Sequence, residues 1–204
     1  MKTGFVDRFK RHDTTDQDRV PAGRQIDAAP RSRVLSALIW QGLANGIGRA
    51  AASTKGDRMK WVTRERPKTD RIACPWLIRK FIDAEAEFLY VPADQVLIVA
   101  EREGAYSYDA PGARYTHRDG LCSFEVLIEE FDLGDPALGL LARIVHGADV
   151  ADDRDATLQS RGLLAVAEGF HLLELGDHRQ LELSLPVYDA LYAWCRNEVA
   201  AGRA

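Results

Sequence analysis

At 204 residues and 22.7 kDa, with 46% hydrophobic and 28% charged residues, the chain is sized for one globular domain, or one domain plus an appendage, and falls outside collagenous and wholly disordered classes. A net charge of -4 gives no general field for attracting nucleic acid, and no apolar run reaches the roughly 18 residues of a spanning helix, so membrane insertion is excluded and nucleic acid is not an expected partner. Three cysteines, Cys74, Cys122 and Cys195, are odd in number and too few for a disulfide scaffold, which points to reduced thiols and a cytoplasmic location.

The charge is unevenly distributed. Residues 1–58 carry 11 Lys+Arg against 6 Asp+Glu, whereas the remainder balances at -9. Residues 1–33 mix charge, Thr, Pro and Gly without periodicity, and Ser53 to Arg58 read as a linker. Val34 to Ala52 hold a weakly apolar stretch at helical spacing, but Gly42, Gly46 and Gly48 interrupt it and the leader before it is long for a signal peptide. The expected organisation is therefore a poorly structured basic extension over 1–58 and a regular domain over 59–204.

Within that domain, Lys60 to Glu65 alternates and is β-rich, which predicts a strand. Trp76, Leu77, Ile78, Phe81 and Ile82 predict a helix opened by Pro75, with Cys74 at its N-cap. A second strand follows at Glu87 to Val91, a helix capped by Asp94, and a short third strand at Ala105 to Asp109. Phe124, Leu127, Ile128 and Phe131 form an i, i+3, i+4, i+7 stripe behind a Ser123 cap. Asp135-Pro136 opens the next helix, Thr157 caps another running to about Leu173, and Asp177 with Gln180 resembles a capping box for the last helical region. Pro186 should kink or split that final element. The fold class expected is α+β: a predominantly helical core of five to six helices with a small two- or three-stranded sheet.

Phosphate-loop, nucleophile-elbow, His-Glu-x-x-His and Cys-x-x-Cys motifs are absent. Two polar clusters remain. In the first, from Arg64 to Trp76, an N-cap Cys74 would face unsatisfied backbone N–H groups that stabilise its thiolate. Arg64, Arg66 and Arg71 would add the positive potential that suits a small oxyanion, and Asp70, Arg71 and Cys74 are the candidate catalytic set. Ordinary pairing of Asp70 with Arg71 and a buried Cys74 is the structural alternative. In the second cluster, His117, Cys122 and Glu125 use side chains that ligate transition metals, with Asp109 just upstream. Three mixed ligands would hold a divalent transition metal ion with an open position, although this spacing matches no closed zinc pattern. His146 and Asp149 fall at a loop mouth, where they are placed to complete a site.

Asp70-Arg71-Ile72-Ala73-Cys74-Pro75-Trp76-Leu77-Ile78-Arg79-Lys80-Phe81-Ile82-Asp83, with Ala86 to Pro92, His117, Leu121 to Phe124 and Tyr188 to Cys195, resembles the chromate-resistance domain found at the C-terminus of ChrB-type proteins. The likeness spans about residues 59–197. It implies a place beside chromate-efflux transporters, and chromate or a related small oxyanion as partner. Residues 1–58 do not read as a complete DNA-binding domain, which departs from the regulator pattern. The leading expectation is a cytoplasmic accessory protein of chromate resistance that binds or senses an oxyanion or a metal ion. A thiol- or metal-dependent redox or sulfur-transfer enzyme ranks second, and a chromate-responsive transcriptional regulator third.

Overall fold

The computed structural model describes residues 58–203, and the expected basic extension therefore lies almost wholly outside the described residues. The elements run β1 (Lys60–Arg64), α1 (Thr69–Leu77, continued by a π turn at Ile78–Ile82), β2 (Glu87–Val91), α2 (Val96–Glu103), β3 (Tyr106–Ser107), α3 (Ser123–Glu130), α4 (Pro136–Asp149), α5 (Leu158–Leu172) and α6 (Asp177–Ala200). This is the α+β class expected. The sheet is parallel throughout in the order β2-β1-β3, with Lys60 paired to Glu87 and Trp61 to Tyr106.

Alternation along β1 divides the core. Trp61 faces the main cluster, with Tyr108, Phe124, Leu138 and Ile144, while Val62 faces a smaller one with Val96, Val99, Ala110 and Ala113 beneath α2. α4 is the hub of the helical layer and packs against α1, α3, α5 and α6. It starts as its sequence predicts: Asp135 Oδ1 accepts a hydrogen bond from the Ala137 N–H at 2.7 Å, and Pro136 occupies the first helical position. Thr157 caps α5 through the Ser160 N–H.

Four local expectations are corrected. α1 begins at Thr69, so Pro75 lies inside the helix and Cys74 is in its second turn rather than at the N-cap. The apolar positions Ile72, Ala73, Trp76 and Leu77 already make a buried face upstream of the proline, and that face sets the helix start. The α3 cap is Cys122, one residue before Ser123. At the start of α6, Asp177 Oδ1 accepts from the Arg66 N–H and Gln180 Nε2 donates to the Pro67 carbonyl, so this pair ties the helix to the β1–α1 loop instead of closing a capping box. Pro186 does not split α6: it sits on the exposed side, where the carbonyl it leaves without a donor belongs to a residue that is itself exposed.

Close approach of α4 and α5 requires Gly147. A Cβ built there would lie 2.5 Å from Ser160 Oγ and 2.8 Å from the Asp153 carbonyl oxygen. Gly147→Ala should cost about 2 kcal/mol, overpacking outweighing the better helix propensity of alanine. A lowered urea midpoint checks this, and an unchanged midpoint would show that the helices separate freely.

Candidate functional site

Arg64 ends β1 and Asp109 follows β3, so both sit at the carboxyl edge of the parallel sheet, where open α/β sheets place their ligand crevices. Beside them lies a cavity of about 430 Å³. Its wall includes Asp70 and Arg71 from the first turn of α1, Lys68 just before it, His117 from the loop leading to α3, and Asp149 from the last turn of α4.

Asp109 organises the basic side. Arg64 Nε donates to its carbonyl at 2.9 Å, and Arg64 Nη2 and Arg71 Nε stand 3.1 and 3.4 Å from its Oδ2. Its Oδ1 accepts from Ser123 Oγ at 3.1 Å. Burial raises the pKa of this carboxyl, but His117, Arg71, Arg64 and Ser123 together bring it below its ordinary value. Its backbone adopts φ 44°, a left-handed conformation that aspartate tolerates better than most residues.

Asp70 organises the acidic side. The residue is 1% exposed. Its Oδ2 accepts from the Ser123 N–H at 2.6 Å and the Phe124 N–H at 3.3 Å, which satisfies two free donors at the start of α3. Its Oδ1 is buried without a hydrogen-bond partner among the described residues. Burial, with the neighbouring charges of Asp149 and Asp109, raises its pKa, opposed by His117. His117 Nε2 stands 3.1 Å from Asp149 Oδ2, 3.4 Å from Asp70 Oδ2 and 3.6 Å from Asp109 Oδ1. Those three carboxylates hold the imidazole pKa well above its ordinary value.

A second constellation lies at the same helix start. Glu125 Oε2 accepts from the Cys122 N–H at 2.9 Å and meets His146 Nδ1 at 2.7 Å, while His146 Nε2 meets Asp153 Oδ2 at 3.0 Å. Cys122, Glu125 and His146 bring their ligand-type atoms within 4.8 Å of one another. The carboxylates raise the His146 pKa against the lowering effect of its burial, and burial raises that of the Cys122 thiol.

Several expected groupings are thus redrawn. His117 does not join Cys122 and Glu125: it joins Asp70 and Asp149, and His146 takes its place beside the other two. Cys74 is fully buried, and burial, with Asp70 and Asp109 next in order, pushes its thiol pKa well up, so the argument for a cap-stabilised thiolate does not apply to it. Arg66 turns away: its guanidinium meets His171 Nε2 at 3.3 Å, outside the cavity wall. Arg64, Asp70, Arg71 and Asp109 do come together. Lys68, Arg154 and Glu168 also line the cavity and received no role from the sequence, because a lone charged residue on a loop or helix face carries no signal of where it points.

These features define a small α+β domain with a charged cavity, of mixed sign, at the carboxyl edge of a parallel sheet. The chain belongs to the family described as ChrB, C-terminal domain, whose model matches residues 61–195. A similar protein is "Protein ChrB" of Cupriavidus metallidurans, 34% identical over 152 residues, which cover 74% of this chain and 45% of that protein. The chain therefore spans less than half the length of that relative. No solved structure matches it. Among the described residues no helix is long and apolar enough to cross a membrane.

Proposed function

We propose that this domain binds a small tetrahedral oxyanion of the chromate class in the cavity between β1, β3 and α1, as a cytoplasmic accessory protein of chromate resistance. The observation that carries the reading is the convergence of Arg64, Lys68 and Arg71 on one cavity wall. Asp109 holds the two guanidinium groups in place, and each keeps N–H donors beyond those it spends there. Lys68 has no carboxylate within salt-bridge distance among the described residues, so its ammonium supplies an uncommitted charge. Fixed forks plus a point charge suit a tetrahedral dianion. Chromate as the particular anion comes from the resemblance to ChrB-type domains and from the relative named Protein ChrB.

Calorimetric titration of the whole chain with chromate, and with sulfate for comparison, tests the reading. Arg71→Ala should weaken chromate binding by about ten- to a hundredfold, the worth of one charge-assisted contact. Lys68→Ala, which touches no structural hydrogen bond among the described residues, should weaken it several-fold with an unchanged melting temperature. Absence of any chromate heat from the wild type at millimolar concentration overturns the proposal.

A further inference from the structure

A bare anion in this cavity would face Asp70, Asp109 and Asp149 as well as the basic groups. The acidic floor therefore needs a chemical account of its own.

We propose that Asp70, His117 and Asp149 form a binding site for a divalent first-row cation of the manganese or ferrous type. The three ligand atoms come from three separate elements, α1, the loop before α3 and the end of α4, and lie within 4.8 Å of one another. In an octahedral shell with ligand bonds of about 2.1 Å, neighbouring ligands stand about 3 Å apart and opposite ones about 4.2 Å. The measured separations from His117 Nε2, 3.1 Å to Asp149 Oδ2 and 3.4 Å to Asp70 Oδ2, are those of neighbouring positions on one face of such a shell.

A second observation is independent of that spacing. Asp70 lines the cavity with its side chain fully buried, and its Oδ1 has no hydrogen-bond partner among the described residues. A buried carboxylate oxygen left bare costs free energy unless a cation or donor meets it. Its sister oxygen Oδ2, the one that stands 3.4 Å from His117 Nε2, also accepts from the Ser123 and Phe124 N–H groups, which fix the carboxylate in orientation as supporting hydrogen bonds fix metal ligands elsewhere. Oxygen and imidazole donors without sulfur select hard or borderline cations, and three protein ligands on one face leave the opposite positions open. Those positions border Arg64 and Arg71. An oxyanion binding there would share its oxygens between the cation and the two guanidinium groups. Only that last step rests on the oxyanion reading; the cation site does not.

The test uses the whole chain, stripped with chelator and titrated with Mn2+ alone, bound metal being read from loss of the free-ion electron paramagnetic resonance signal. One Mn2+ per chain is expected, with affinity lowered at least about tenfold in His117→Gln and in Asp149→Asn. Asp149 makes no backbone contact that the fold depends on among the described side-chain bonds, so its variant should stay folded. Glu125→Gln keeps the α3 capping arrangement and should leave Mn2+ binding intact. Substituted Co2+ should give weak visible bands and no sulfur-to-metal charge transfer. No Mn2+ binding by the wild type overturns the proposal, as does binding that survives Asp149→Asn but is lost in Glu125→Gln, since that places the metal at Cys122, Glu125 and His146. Lys68→Ala separates the two readings: it should weaken chromate binding and leave Mn2+ untouched, and Mn2+ binding without any chromate binding would sink the oxyanion reading alone.

Discussion

Trp61→Ala should be the most destabilising single substitution in the sheet, costing about 4 kcal/mol and lowering the melting temperature by roughly 10 °C. Trp61 is fully buried at the centre of an aromatic cluster, with ring centroids 5.0 Å from Tyr106, 5.5 Å from Tyr115 and 6.2 Å from Phe131. Its indole bridges the middle strand to β3, the loop after it and the residue that ends α3, so truncation opens a void that Tyr106, Tyr115 and Phe131, already packed on one another, close only in part. The indole N–H has no partner among the described residues, so Trp61→Phe removes an unsatisfied donor along with part of the ring. That variant should lose less than half as much. Chemical denaturation of both variants checks the pair, and a loss under about 1 kcal/mol for Trp61→Ala would show that the cluster reforms around the gap.

The strands and most of the helices were legible because each carries a strong local signal. Lys60 to Arg64 and Glu87 to Val91 are β-rich runs bounded by charge and proline, and α4 and α5 start at side-chain caps whose hydrogen bonds form as their sequences imply. The start of α1 was not legible. Pro75 after Cys74 matches the common pattern of proline in a first turn, and only the tertiary burial of Ile72 and Ala73 reveals that the helix is already under way. The same tertiary logic takes Asp177 and Gln180 away from a capping box. Both side chains are spent on the Arg66–Pro67 loop, 111 and 113 residues distant in sequence.

The cavity was legible in its ingredients but not in its grouping. Arg64, Asp70, Arg71, Asp109, His117 and Asp149 all stood out as chemistry-bearing residues. Sequence proximity, however, links His117 to Cys122 and Glu125, five and eight positions on. The chain turns between them: the first residues of α3 point their N–H groups at Asp70, while Glu125 turns back to the Cys122 N–H and to His146. One helix start therefore parts two neighbouring clusters, and a four-turn helix, α4, supplies a residue to each from its last turn, His146 to one and Asp149 to the other. That division depends on the packing of α4 against α3 and α1, which no spacing rule encodes.

Asp109 is where stability and the proposed binding function meet, and its two substitutions should come apart. Asp109→Ala should cost about 3 kcal/mol, because it leaves Arg71, whose side chain is only 16% exposed, without its carboxylate and strips Ser123 Oγ of an acceptor. Alanine at φ 44° adds about 1 kcal/mol of backbone strain. Asp109→Asn removes the charge but keeps the volume and a residue that accepts the left-handed conformation, so it should cost about half as much. The effect on chromate is more telling than either. Taking a negative charge out of an anion site would, by charge alone, tighten binding. If Asp109 acts chiefly by holding Arg64 and Arg71 toward the cavity, Asp109→Asn should instead weaken chromate binding by about tenfold, one lost guanidinium contact. Calorimetry on the folded variant decides between the two. Tighter binding would assign Asp109 to fold stability alone, and weaker binding would make it the positioning residue of the site.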